Sequence, residues 1–171
     1  MDEASITRDQ GGLPEGLFQS RTMFRHALRG AFAQAAAAGA PELWCCDVDF
    51  AQWPLGEREV VESLTAWAYS HRKLVMLASH YDEVVRRHPR WVQWRRHWGH
   101  IVTCRSMPEL LPENIPGLCW VQGLLQVRLV EATLYRGVVE RQPGHLRQGR
   151  ELLDEVWWRS IDAFPVTTLG L

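Results

Sequence analysis

Fifteen consecutive residues, Arg86 to His100 (RRHPRWVQWRRHWGH), carry five arginines, three histidines and three tryptophans, and no acid. Guanidinium forks match phosphate geometry and indole faces stack bases, so this composition could grip an anion or a nucleic acid. The residues that would do so are Arg86, Arg87, Arg90, Arg95 and Arg96. Segment 72–105 holds eight Lys and Arg against two acids, whereas the whole chain has a formal net charge of −1. Any basic surface is therefore local, and no global field draws the protein towards nucleic acid or membrane. The tryptophans admit a plainer role. Trp91, Trp94 and Trp98 recur at i, i+3 and i+7, which stacks them on one narrow helical face. Such a stripe marks a core helix, with the stems of Arg90 and Arg95 lying beside it and Arg96 in solvent. The spacing favours that inward placement, leaving the arginines as functional candidates if the fold brings them to one cleft.

Asp47 and Asp49 are the other candidates, at the expected C-terminal end of a strand, where open α/β sheets place their ligand sites. With a further acid or a substrate phosphate they could hold magnesium in a metal-dependent phosphoesterase. The competing role, which the pattern favours, is a pair of turn-forming acids bonded to local amides. Aspartate-nucleophile phosphatases use such a motif, but their following threonine and later lysine have no counterparts here. His80 occupies the analogous position after the next strand, and His97 falls near the carbonyl end of its helix. The seven histidines show no matched ligand spacing. Four cysteines lack any C-x-x-C arrangement and fit small buried apolar residues. There is no G-x-S-x-G, no P-loop and no Cys-x5-Arg. No catalytic residue and no cofactor is assigned.

The elements that must position these residues follow from periodicity. The opening MDEASITRDQ lacks a basic region followed by an apolar one, and no apolar run is long enough to cross a bilayer. A cytoplasmic protein that spans no membrane is expected. Residues 1–17 are polar and glycine-rich and are expected to form a flexible lead-in, with one α/β domain over 18–171. Ser20 can cap a helix of Met23, Phe24, Ala27, Leu28, Ala31, Phe32 and Ala35, stopped by Gly39 and Pro41. Apolar strands follow at 43–49, 74–79 and 101–105. Helices at 57–71 and 82–98 separate them, the second kinked at Pro89. Past the loop 108–117, CWVQGLLQVRLV and TLYRGVVE read as a long antiparallel hairpin. A closing helix over 146–164 presents Leu152, Leu153, Val156, Trp157 and Ile161 to one face. The fold class expected is α/β, with a mixed, mainly parallel sheet flanked by helices.

This element order, over roughly residues 18–164, resembles one half of the phospholipase D-like fold. It is similar to uncharacterised bacterial domains that look like degenerate halves of that fold. The family transfers phosphodiesters through His-x-Lys followed by Asp, with the histidine as nucleophile. The matching register on the hairpin is Gln126-Val127-Arg128, followed by Glu131. Glutamine cannot form a phosphohistidine-type intermediate, so the resemblance implies a fold without the family's activity, with an anion pocket around Arg128 as its remnant. The plain alternative is that Gln126 and Arg128 are exposed residues alternating with Leu125, Val127 and Leu129. Active members join two halves about a two-fold axis, so the resemblance also implies a homodimer. Trp157 and Trp158 are adjacent, so one of them must point away from the core their helix covers. The leading expectation is a non-catalytic binding or regulatory domain for a phosphate-bearing ligand or nucleic acid. The alternatives are the Asp47/Asp49 phosphoesterase and a protein-interaction module built on exposed tryptophan.

Overall fold

The computed structural model describes residues 14–166. Ser20 caps helix α1 (Arg21–Ala38), its Oγ accepting from the Met23 amide at 3.1 Å, and Gly39 closes it in the left-handed region. Strand β2 (Glu42–Cys46), helix α2 (Arg58–Trp67), strand β3 (Lys73–Ala78), helices α3 (Asp82–Arg87) and α4 (Pro89–Trp98), and strand β4 (Val102–Ser106) follow in β-α-β order. The expected kink is a full break: His88 leaves helical geometry, and Pro89 restarts the chain where its missing N–H is tolerated. Strands β5 (Leu118–Val121), β6 (Leu125–Glu131) and β7 (Arg136–Glu140) precede helix α5 (Pro143–Trp158).

Among the described residues the sheet has eight strands, ordered β1-β7-β6-β5-β2-β3-β4-β8, where β1 is Gly16–Phe18 and β8 is Ile161–Asp162. It is a mixed sheet flanked by helices, with antiparallel strands and a closing helix, as expected for the α/β class. The expected parallel majority needs correction. Only β2–β3 and β3–β4 are parallel, and the other five pairings are antiparallel. Helices α2 and α3–α4 cross over between these three adjacent strands, whereas β5, β6 and β7 follow one another by short turns and β1 and β8 pair antiparallel at the two edges. The single long hairpin is a three-strand meander, because Gln122-Gly123 turns the chain with Gly123 at φ +70°. Of residues 1–17, expected as a flexible lead-in, 1–13 lie outside the described residues, and Gly16 and Leu17 belong to β1 on β7. The closing helix ends at Trp158, six residues early, and Ile161 is exposed on edge strand β8 rather than on a helix face.

Helices α1 to α4 cover one face of the sheet and α5 the other. Cys45 faces the first layer and Cys46 the second, as adjacent strand residues must. Trp91 and Trp94 are buried on the first face, while Trp98 packs at its margin. On the second face, Trp157 lies against the guanidinium of Arg105 at 4.2 Å, and Trp158 is 83% exposed. No helix among the described residues is long and apolar enough to cross a membrane.

Candidate anion-binding cleft

At the C-terminal end of β2 the chain makes a tight loop, residues 47–57, and this loop organises the basic side chains around it. The Asp47 carboxylate accepts from the amides of Asp49 at 3.3 Å and Phe50 at 2.8 Å, and Asp49 accepts from Ala51 at 2.9 Å. Burial pushes the Asp47 carboxyl up from its ordinary range, against the pull of those amides. Both aspartates thus do the work of turn-forming acids. Among the described residues no three His, Cys, Asp or Glu side chains gather in a way that could hold a metal ion. Phe50 takes a left-handed φ of 58°, which only a well-determined loop sustains in a bulky residue, and its ring meets Trp53 edge-on at 4.9 Å. Alanine at Asp47 removes the acceptor for two amides and is expected to lower stability by about 1–2 kcal/mol, read from urea unfolding.

Three arginines close on this loop from two directions. From α1, Arg25 donates to the Gln52 carbonyl at 2.8 Å and to its Oε1, and Arg29 reaches Glu57 at 2.6 Å. From the α3–α4 break, Arg90 donates to the Gly56 carbonyl at 2.7 Å. His88 is buried beneath: its Nδ1 accepts from the Gly56 amide at 3.2 Å, which leaves Nε2 to donate to the Phe50 carbonyl at 2.8 Å. Glycine at position 56 allows this close approach, since a Cβ there would stand 3.0 Å from the His88 backbone and 3.2 Å from the Arg87 carbonyl oxygen. The result is a cleft of about 530 Å³ whose lining includes Arg25, Arg29, Arg87 and Arg90, with Glu57 the one carboxylate among the described lining residues.

Burial, together with the charges of Arg87 and Arg25, holds His88 below the ordinary histidine range despite its bond to Phe50. The neutral ring is therefore the folded form. As pH falls below about 6.5 the unfolded chain takes up the proton first, so this contribution is present above that pH and is lost below it. Wild type is expected to lose up to about 1.4 kcal/mol per pH unit more than His88→Gln in that window, measured by urea unfolding across pH.

The other arginines named from the sequence do not join this cleft. Arg86 is exposed and pairs with Glu83 at 2.6 Å, an acid that also receives Arg87. Arg95 turns inward, with its guanidinium 4.5 Å from the Phe164 ring, and Arg96 stands at the mouth of the same small space. Arg128 lies on the opposite face of the sheet, paired with Glu140, a neighbour across β6 and β7. Burial raises the Glu140 carboxyl, but hydrogen bonds from Arg128 and Gln126 outweigh it and hold the group below the usual carboxylate range. Gln126 is buried, donating to Glu140 at 2.7 Å and to the His145 carbonyl at 3.1 Å. The expectation that Gln126 alternates outward into solvent is corrected, because α5 covers that face. Arg25 and Arg29 were missed, although Arg21, Arg25 and Arg29 recur at the four-residue spacing of one helix side.

No protein-family model matches this chain, and no curated protein does either. Among solved structures it is similar to TrmBL2, described as an archaeal chromatin protein with a novel mode of DNA binding. That likeness covers 91% of this chain and 57% of the other, at 10% identity and a TM-score of 0.64. It shows a shared fold, and this chain spans little more than half the length of that neighbour.

Proposed function

We propose that this domain is a non-catalytic binding module that holds a phosphate-bearing ligand, with nucleic acid as the favoured form, in the cleft between α1 and the α3–α4 break. The observation that carries the reading is the lining: four arginines, two from α1 and one from each side of the α3–α4 break, meet across a loop. Glu57 is the one carboxylate among the described lining residues, with Glu83 beside Arg87 outside it. Arginine binds phosphate through paired N–H donors in a fixed plane, and the loop contacts of Arg25, Arg29 and Arg90 orient those planes in advance. The role described for the structural neighbour favours nucleic acid among phosphate-bearing ligands. Affinity for a labelled DNA duplex is expected to fall steeply with salt, with a log–log slope of about −3 to −4 for three or four phosphate contacts. No retention at low salt, or a flat salt dependence, would refute the nucleic-acid form.

The phospholipase D-like resemblance fits the same proposal as a half-fold without the family's chemistry. The residue in the nucleophile's register, Gln126, uses its amide nitrogen to bond Glu140 and the His145 carbonyl. The homodimer that the resemblance implies remains part of the reading, and Trp158, 83% exposed at the end of α5, is a side chain such a contact could cover. Sedimentation velocity is expected to resolve a dimer at high concentration; monomer alone would refute this part.

A further inference from the structure

We infer that Arg95 belongs to a second, separate site, a small, partly enclosed pocket for a single inorganic anion of chloride size. Arg95 is 5% exposed, and its Nε is sealed from solvent without a hydrogen-bond acceptor. Among the described residues no carboxylate pairs with its guanidinium. Its polar neighbours offer no counter-charge either. Burial keeps the Tyr81 and Cys104 protons on, with the Cys104 thiol pushed up to about 11, and the Tyr81 hydroxyl already serves the Met76 and Arg105 carbonyls. A guanidinium largely withdrawn from water, with its Nε sealed, is stabilised by a compensating charge. The contact with Phe164 supplies only the modest attraction of a cation over a ring face.

The surroundings form a chamber rather than a solid core. After β8 the chain folds back over α4, with Phe164 in the left-handed region at φ 46° and its ring stacked on Tyr81 at 5.1 Å. Between this return and α4 lies a space of about 30 Å³, lined by Val92, Arg95, Arg96, Phe164, Pro165 and Val166. That volume admits one species of water or halide size and excludes a phosphate ester. Two adjacent arginines at its wall make it positive, and no acid is among the described residues that line it. A halide there would supply the charge that Arg95 lacks and would tie the C-terminal return to α4. This site is distinct from the arginine cleft and does not depend on the ligand proposed for it.

Thermal melts in sodium chloride against sodium gluconate, at fixed ionic strength, test the inference, since gluconate is too large to enter. For wild type the midpoint should rise by roughly 3–5 °C for each tenfold increase in chloride above the dissociation constant. Arg95→Met keeps the stem and removes the charge, and its midpoint should be insensitive to the choice of salt. Crystals grown in sodium bromide should show an anomalous peak within hydrogen-bonding distance of the Arg95 guanidinium. Equal melting of wild type in the two salts, an unchanged chloride response in Arg95→Met, or a water in place of bromide would each overturn it. Should Arg95→Met fail to fold, the wild-type salt comparison and the bromide crystal still decide.

Discussion

Replacing Gly137 with alanine is expected to destabilise the protein by about 2–4 kcal/mol, lowering the melting midpoint by roughly 5–15 °C. Gly137 sits in β7 between β1 and β6, opposite Phe18 on one side and Leu129 on the other. A Cβ built there would lie 2.2 Å from the Arg128 carbonyl oxygen and 2.5 Å from the Phe18 ring. The carbonyl belongs to the backbone of β6, so it cannot yield without disturbing the ladder. Phe18 is 4% exposed and packs on Phe24 of α1, so displacing its ring disturbs that contact. Gly144→Ala is the matched control: it lies in the first turn of α5 with nothing within 4 Å of the added carbon. That change should be neutral or stabilising by up to about 1 kcal/mol. A Gly137→Ala variant that melts with wild type would contradict the β1–β7–β6 packing described above.

Charge reversal in the cleft is the second large effect. Arg87→Glu with Arg90→Glu is expected to weaken binding of a labelled duplex at low salt by about 100-fold or more, as two charge-assisted contacts become repulsive. Both side chains are exposed, so folding should change little. Arg86→Glu provides the sharpest comparison. It sits beside Arg87 in sequence and pairs with the same Glu83, yet it does not line the cleft. Its effect should stay within a few-fold. Arg128→Ala, on the far face of the sheet and paired with Glu140, should leave binding unchanged. Fluorescence anisotropy on the set distinguishes a cleft from a diffuse basic surface, since a diffuse surface would rank all these changes alike.

Much of the fold was legible because its signals are local. The Ser20 cap, the Gly39 stop and the period of Phe24, Ala27, Leu28 and Ala31 fix α1 with little tertiary help. The tryptophan stripe read correctly as core at Trp91 and Trp94. Strand direction and edges were less legible, because pairing is decided by distant residues. Gly16–Phe18 is too short to show a period and becomes a strand only against β7, and Ile161 becomes one only against β4. The cleft was half visible. Arg87 and Arg90 stand out in a conspicuous basic run, whereas Arg25 and Arg29 lie in a helix whose apolar face dominates its pattern. What joins them is the loop 47–57, whose glutamine, glutamate and backbone carbonyls carry no recognisable motif. Arg95 was misplaced for a comparable reason. Helical spacing sets it beside the tryptophans, but the C-terminal return that buries it lies nearly seventy residues away, at Phe164.

A crystal soaked in inorganic pyrophosphate at low salt tests the cleft most directly. Density for the diphosphate is expected between Arg25 and Arg29 on one side and Arg87 and Arg90 on the other, with His88 still bonded to Phe50 and Gly56. An empty cleft, or diphosphate bound at Arg128 or elsewhere with these four arginines untouched, would contradict the proposal.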